Sequence, residues 1–371
     1  MKTQNPPNSS ASQGVPAACG PVIAQKHNPA GDRAQPIPPR REGSRVVFAD
    51  SRLGWLSRDG LYVLVPGGTE KDVLVPLGKG RGVTAAGTSF LAIGQSGVET
   101  VVRVSPNGTI ERWPAVLPIT PFGIVRLFAG DPAASEALWV VGKSVLQPAA
   151  LRLRGPALET GMPVPCGSAA QPGNQLEVTR LKSGAFLCSQ GSKLAWLSPG
   201  SALGGAARSV QMPLQFGETP LVAAEPATTT PGQSPPEDRL WIAGDSGGLA
   251  LLSLDSSSNP LTARLKLCAQ LAAENHRVHT LATAPHVVAA VLIWQQAAGQ
   301  QPVWSVATFS DDGRETFRAL LPWQPLMSEE TDVSLALSPD GSRLAAGSVV
   351  RLVVWDPKTG QQVAERSLPP E

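Results

Sequence analysis

The feature that most constrains this chain is a recurrence. A four-residue apolar run, usually ending in a small residue, returns seven times: GWLS at 54–57, LAIG at 91–94, WVVG at 139–142, FLCS at 186–189, WIAG at 241–244, VAAV at 288–291 and LAAG at 344–347. Measured between their last residues, the steps are 37, 48, 47, 55, 47 and 56 residues. Blades of a β-propeller repeat every ~40–50 residues, and loop insertions lengthen some of them. Seven runs therefore imply seven blades, with each run as a second strand. A third-strand candidate follows every one, at 61–65, 101–104, 149–153, 194–197, 249–254, 303–309 and 352–355. Ser105-Pro106-Asn107-Gly108 and Ser310-Asp311-Asp312-Gly313 then turn the chain into a fourth strand, because Pro presets φ, Asn and Asp bond their own backbone and Gly accepts φ > 0.

The repeat is written most fully at 332–368. Residues 333–337 (VSLAL) alternate as a half-buried strand does, and Ser338-Pro339-Asp340-Gly341 turns the chain. A small-residue strand over 343–348 and a β-rich strand over 352–355 follow, then the turn Asp356-Pro357-Lys358-Thr359-Gly360 and a fourth strand within 361–368. Leu337 to Gly341, Leu344 to Ser348 and Val354-Trp355-Asp356, with Thr359-Gly360 after them, resemble a WD40 repeat. The resemblance covers this one blade well and the others weakly. Ser328-Glu329-Glu330-Thr331 stands where the family has a Gly-His pair, and the turn between the second and third strands lacks Asp-Gly. Of the family's hydrogen-bonded tetrad only Ser348 and Trp355 match. The expected structural motif is thus Ser338, Pro339, Asp340, Gly341, Ser348, Trp355 and Asp356. The expected fold is an all-β, WD40-like propeller of seven sequence-contiguous blades over 44–371. The first strand of blade one falls at 44–49 and 362–368 ends blade seven; a clasp carrying the first segment onto the last blade is the alternative closure.

Residues 1–43 are rich in Pro, Ser, Asn, Gln and Ala without periodicity, and are expected to be disordered because they cannot bury enough apolar surface to offset chain entropy. This segment has no apolar core of the secretory kind, and no run approaches 18 apolar residues, so neither export nor a membrane span is expected. Lys+Arg 31 against Asp+Glu 29 leaves a net charge of +2, which gives no electrostatic argument for nucleic acid or an anionic membrane. The four cysteines, Cys19, Cys166, Cys188 and Cys268, form no C-x-x-C pair. Reduced thiols in a cytoplasmic protein are expected rather than a disulfide framework or zinc site.

The search for chemistry turns up little. His276-x-x-His279 on a strand would point its side chains to opposite faces, which suits a structural hydrogen bond better than a metal. Gly244-Asp245-Ser246-Gly247-Gly248 fits G-x-S-x-G, but a nucleophile elbow needs a helix after the serine, and a strand candidate follows. The motif reads as a hairpin. Gly78-Lys79-Gly80-Arg81-Gly82 lacks the P-loop pattern and reads as an inter-blade loop. No catalytic, cofactor-binding or metal-ligating residues are assigned, and no cofactor is expected. Trp55, Trp139, Trp196, Trp241, Trp294, Trp304 and Trp355 lie in strand runs and read as core. Trp113 and Trp323, flanked by Pro and loop residues, and Met327, on the approach to blade seven, are the candidate partner contacts. Residues 225–238 are expected to be a polar, Pro-rich insertion in blade five. The function expected is a non-catalytic scaffold that binds a protein or peptide, within a multi-protein complex. The alternative is an enzyme or small-molecule binder using the central channel.

Overall fold

A computed structural model describes residues 45–96, 98–114, 126–130, 138–142, 145–151, 158–160, 164–165, 176–190, 193–197, 208–212, 221–226, 237–244, 248–255, 261–270, 276–294, 301–323 and 333–369. The seven apolar runs fall on the second strands of seven antiparallel blades. Blade 1 holds β1 (Val46–Ala49), β2 (Arg52–Leu56), β3 (Gly60–Leu64) and β4 (Val73–Pro76); blade 2 holds β5 (Lys79–Ala86), β6 (Ser89–Ser96), β7 (Val98–Val104) and β8 (Ile110–Pro114). In blade 3, β9 (Arg126–Ala129), β10 (Leu138–Gly142) and β11 (Val145–Leu151) are edged by two short pieces, β12 (Leu158–Thr160) and β13 (Val164–Pro165). Blade 4 follows with β14 (Leu176–Arg180), β15 (Phe186–Gln190), β16 (Lys193–Leu197) and β17 (Arg208–Gln211). Blade 5 is β18 (Leu221–Ala224), β19 (Asp238–Ala243), β20 (Gly248–Asp255) and β21 (Leu261–Gln270). Blade 6 is β22 (His276–Ala284), β23 (Val287–Trp294), β24 (Val303–Ser310) and β25 (Glu315–Leu320), and blade 7 is β26 (Ser334–Leu337), β27 (Leu344–Gly347), β28 (Arg351–Trp355) and β29 (Gln362–Ser367). The chain is an all-β, seven-bladed propeller.

The middle strands read as unbroken apolar runs because both faces of each sheet are covered. Side chains alternate along a strand. On β19, Leu240 and Ile242 therefore enter the core shared with blade 4, while Trp241 and Ala243 enter the core shared with blade 6. Blade 7 does the same, with Leu344 and Ala346 facing blade 6 and Ala345 facing blade 1. The small residues set the blade spacing: a Cβ on Gly347 would stand 2.6 Å from Val46 Cγ1, and one on Gly94 would stand 2.3 Å from the Leu77 carbonyl oxygen.

The ring closes without strand exchange. β1 pairs with β2 inside blade 1, and β26 to β29 complete blade 7. Side-chain packing of Val46, Trp55 and Leu64 against Ala336, Leu352 and Val354 joins the ends. Hydrogen bonds fasten the seam: Trp55 Nε1–H donates to the Ser348 carbonyl at 2.7 Å, Arg45 N–H to Ser334 Oγ at 3.1 Å and Arg58 N–H to the Val349 carbonyl at 2.8 Å. Across the same seam, the Arg366 guanidinium of blade 7 reaches Asp72 of blade 1 at 2.7 Å.

Two expectations are corrected. Residues 79–82 are not an inter-blade loop but the start of β5, with a bulge between Gly80 and Gly82. The Gly80 carbonyl accepts from Arg45 at 3.2 Å, and a Cβ there would strike Leu56 at 2.6 Å. A run of glycines reads as a loop from composition, whereas here it lets blade 2 approach blade 1. Blades 4 and 5 are joined at their outer edges. Their outer strands β17 and β21 pair in parallel, Val210 with Leu261 and Gln211 with Thr262, giving one eight-stranded sheet. Finally, Cys188 and Cys268 are not reduced: each is disulfide-bonded, and among the described residues no cysteine is free. The tail expected at 1–43 lies outside the described residues.

Candidate functional site

Because every blade meanders, the turns joining strands one to two and three to four lie on one face, here the lower face. Those joining strands two to three lie on the upper. The densest polar group among the described residues sits at the lower edge of blades 5 and 6. Glu225 follows β18 directly and is only 2% exposed. A carboxylate so buried is costly unless its charge and lone pairs are met, and both oxygens are. Oε1 accepts the Trp241 Nε1–H at 3.1 Å, and Oε2 stands 3.4 Å from Arg239 Nη1. The same guanidinium crosses to blade 6, where Nη1 lies 2.8 Å from His286 Nδ1 and Nη2 lies 3.5 Å from Asp311 Oδ2.

His286 occupies the Pro285–His286 turn that closes β22 onto β23, where Ala284 pairs with Val287. Its φ is 63°. Pro at the first central position with φ > 0 at the second is the arrangement that normally selects glycine, so a histidine there is strained. The ring is 68% exposed, with Nδ1 2.9 Å from Asp311 Oδ2. One nitrogen cannot serve both neighbours. Arg239 only donates, so against it Nδ1 must accept and the ring hydrogen sits on Nε2; donation to Asp311 requires the opposite.

A second set of bonds ties blade 5 to both its neighbours. The Ala224 N–H donates to Thr179 Oγ1 of blade 4 at 3.0 Å, and the Ala224 carbonyl accepts from Thr283 Oγ1–H of blade 6 at 2.6 Å. Asp238, 4% exposed, accepts from Ser183 N–H at 3.3 Å and Ser183 Oγ–H at 3.1 Å. Burial pushes the Asp238 carboxyl above its ordinary range, with the Ser183 hydrogen bonds and the Lys182 charge pulling against it. Most of the insertion expected over 225–238, residues 227–236, lies outside the described residues; its two ends, Glu225 and Asp238, are buried.

The sequence-singled residues fall apart as a group. Trp323 is 4% exposed inside the core of blades 6 and 7, which removes it from any contact surface. Trp113 sits on β8, the outer strand of blade 2, half-buried opposite Val101. Met327 lies outside the described residues. The motif of blade 7 is structural throughout. Ser338 Oγ–H donates to Asp340 Oδ1 at 2.6 Å and Ser338 Oγ accepts from Arg343 N–H at 2.9 Å. That hydroxyl foremost, with Ser342 N–H, holds the Asp340 carboxyl down at about 2. Asp356 meets Arg343 Nη1 at 3.0 Å, Ser348 Oγ accepts from Arg351 N–H at 3.1 Å, and Trp355 is packed in the core. His279 is buried edge-on against Trp304 at the bulge of β22. Gly244 N–H bonds the Gly248 carbonyl and the strand β20 follows; Asp245, Ser246 and Gly247 of the G-x-S-x-G motif lie outside the described residues.

Glu225, Arg239 and Asp311 are what sequence reasoning missed. They are 14 and 72 residues apart in order along the chain, with no spacing that a strand period would flag.

No protein-family model and no curated protein matches the chain. Solved structures do match. One is of a putative 6-phosphogluconolactonase from Bacteroides fragilis NCTC 9343, 8% identical, with TM-score 0.52 over 86% of this chain and 91% of that one. Another is a chain in a structure of the mitotic checkpoint complex, 10% identical, with TM-score 0.51 over 87% of this chain and 94% of that one. The two carry different functions, so the likeness establishes the propeller fold and leaves function to be argued from the site.

Proposed function

We propose that the chain is a non-catalytic scaffold that binds a protein or peptide on its lower face, with Arg239, His286 and Asp311 as the contact point. The observation that carries this reading is His286. A strained backbone conformation that glycine would hold freely is kept by a residue whose ring is 68% exposed. Strain retained at an exposed position, where it contributes no core packing, supports a recognition role for a ring that, unlike the exposed Asp50, stands beside the Arg239 and Asp311 charges. The neighbouring charges are already committed: Glu225 is spent on Trp241 and Arg239, which suits a group that positions a surface rather than one that moves protons.

The test compares full-length wild type with His286→Gly and Asp50→Gly as immobilised bait in native lysate. Asp50, at φ 57°, is the other non-glycine residue with positive φ among those described, also at a first-to-second-strand turn. A partner retained by wild type and Asp50→Gly but lost from His286→Gly is the expected result. Equal retention by all three would remove His286 from the interface. Retention by none would favour the small-molecule reading of the channel, to be followed by metabolite screening.

A further inference from the structure

A net charge of +2 hides a polarity along the central channel. The first strands of neighbouring blades meet around the ring and line that channel. Each runs from the upper face to the lower, because its turn into the second strand lies below. At the lower mouth charge is sparse and mixed in sign. Strands β1, β5, β9, β18 and β22 all end on alanine, β26 ends on Leu337 and β14 on Arg180, while the acids Asp50 and Glu225 directly follow β1 and β18.

The upper mouth is basic. Arg45 immediately precedes β1, Lys79 and Arg81 stand at the start of β5, Arg126 opens β9, and Arg277 is the second residue of β22. Among the described residues at these upper ends the one carboxylate is Glu177 of β14, whose Oε2 stands 3.7 Å from Arg126 Nη2. Two of the guanidiniums are fixed on the channel wall. Arg45 Nη1–H donates to the Gly80 carbonyl of blade 2 at 3.2 Å, and Arg126 Nη1–H donates to the Val178 carbonyl of blade 4 at 2.8 Å. Each therefore lies against the first strand of the next blade. The Gly80 bond also brings Arg45 beside Arg81, the residue at the β5 bulge between Gly80 and Gly82. A bulge takes its residue out of the ladder and re-aims the side chain.

Guanidiniums held in this way lose little freedom on binding, and their planar fork matches the oxygens of phosphate and carboxylate. A recess lined by one sign of charge, with low-dielectric walls, focuses its field and concentrates ligands of the opposite sign. We propose that the upper mouth of the channel binds a compact polyanion, a small molecule carrying two or more phosphate or carboxylate groups. Arg81 and Arg277 are its contacts, and Arg45 and Arg126 complete the field. The ligand is compact because the arginines come from blades 1, 2, 3 and 6, on opposite sides of one mouth. An extended polymer would instead call for a basic stripe along an outer edge. The site lies at the other end of the channel from His286 and stands whether or not the lower face holds a protein.

The test is titration calorimetry of the full chain with pyrophosphate and with citrate, against sodium chloride at matched ionic strength. Pyrophosphate should bind, chloride should not, and added salt should weaken the binding. Citrate binding as tightly would make the site general for polyanions; weaker citrate binding would assign it to phosphate. Arg81→Gln and Arg277→Gln should each weaken pyrophosphate binding about tenfold, the worth of one charge-assisted hydrogen bond. Arg343→Gln, at the lower face, should leave it unchanged. Arg277 is exposed, so its variant reads binding even if Arg81→Gln fails to fold. A loss in either variant places the probe at the upper mouth. Full affinity in both, equal weakening by Arg343→Gln, or no binding of millimolar pyrophosphate by wild type would overturn the proposal.

Discussion

Blade 7 and blade 5 solve the same problem, fixing hairpin ends at the lower face, in opposite ways. Blade 7 does it locally. Ser338, Asp340, Ser342 and Arg343 bond one another within five residues, and the longest step is Arg343 to Asp356. Blade 5 does it through its neighbours: Ser183 reaches Asp238 across 55 residues, Thr283 reaches Ala224 across 59, and Arg239 reaches His286 across 47. A local network completes its blade and leaves its surface inert. A shared network makes the blades a single unit and brings together charges that no one blade could gather. Only the second can build a site.

The largest effect that distinguishes them lies in the two buried tryptophans. Trp355→Ala should cost about 3–5 kcal/mol, the usual penalty for emptying an aromatic from a core. Trp241→Ala should cost at least about 1 kcal/mol more, because it also strips a hydrogen bond from the buried Glu225 carboxylate. Urea unfolding of both variants decides. Equal losses would mean that the Glu225 bond contributes nothing and that blade 5 is held by packing alone.

Next come the arginines. Removing one partner of a buried ion pair costs about 3–5 kcal/mol, and the 20% exposure of Arg239 brings the expectation for Arg239→Met to about 2–3. Arg343→Met, whose partner Asp356 is more exposed and already meets Lys358 and Thr359 N–H groups, should cost under about 1 kcal/mol. Adding Glu225→Leu to Arg239→Met should recover much of the loss. If it recovers none, Arg239 acts through His286 and Asp311 instead.

This contrast also explains what could be read from the sequence. The seven second strands were legible because burial on both faces leaves an unbroken apolar run whatever the neighbours are. The turns at Ser338 and Ser310 were legible because Pro, Asp and Gly act on their own backbone. Glu225 was not: a glutamate beside a Pro-rich insertion looks solvated, and nothing in its vicinity announces Trp241 or Arg239 beneath it. The glycines of β5 misled in the same way, since close approach of another blade leaves no local trace.

A subtler separation comes from pH, because the two aspartates respond with opposite sign. Asp340 is held at about 2, below its ordinary 3.8. Its contribution is therefore complete above the unfolded value and is lost as pH falls from about 4 towards 2. Asp238 is raised by burial, so its contribution is complete below 3.8 and is lost as pH rises through its folded value. Thermal melts should show Asp340→Asn less acid-sensitive than wild type. Asp238→Asn should instead gain slightly at neutral pH, by under about 1 kcal/mol after screening. The same slope in both variants would show that the buried and the exposed turn carry charge alike.

The smallest effect bears most directly on function. His286 and Gly341 occupy left-handed backbone at equivalent first-to-second-strand turns, φ 63° in blade 6 and φ 69° in blade 7. A Cβ on Gly341 would meet nothing closer than Val287 Cγ2 at 3.8 Å, so Gly341→Ala reports the backbone term alone, a loss of about 1 kcal/mol. His286→Gly removes the same term but adds chain entropy to the unfolded state, so stability should rise by only a few tenths of a kcal/mol or stay level. A clear loss in His286→Gly would mean that the ring's bond to Arg239 or to Asp311 holds the fold together, and the strain would then be the incidental cost of a structural contact. A gain, together with loss of the captured partner, would leave recognition as the reason a histidine stands where glycine folds better.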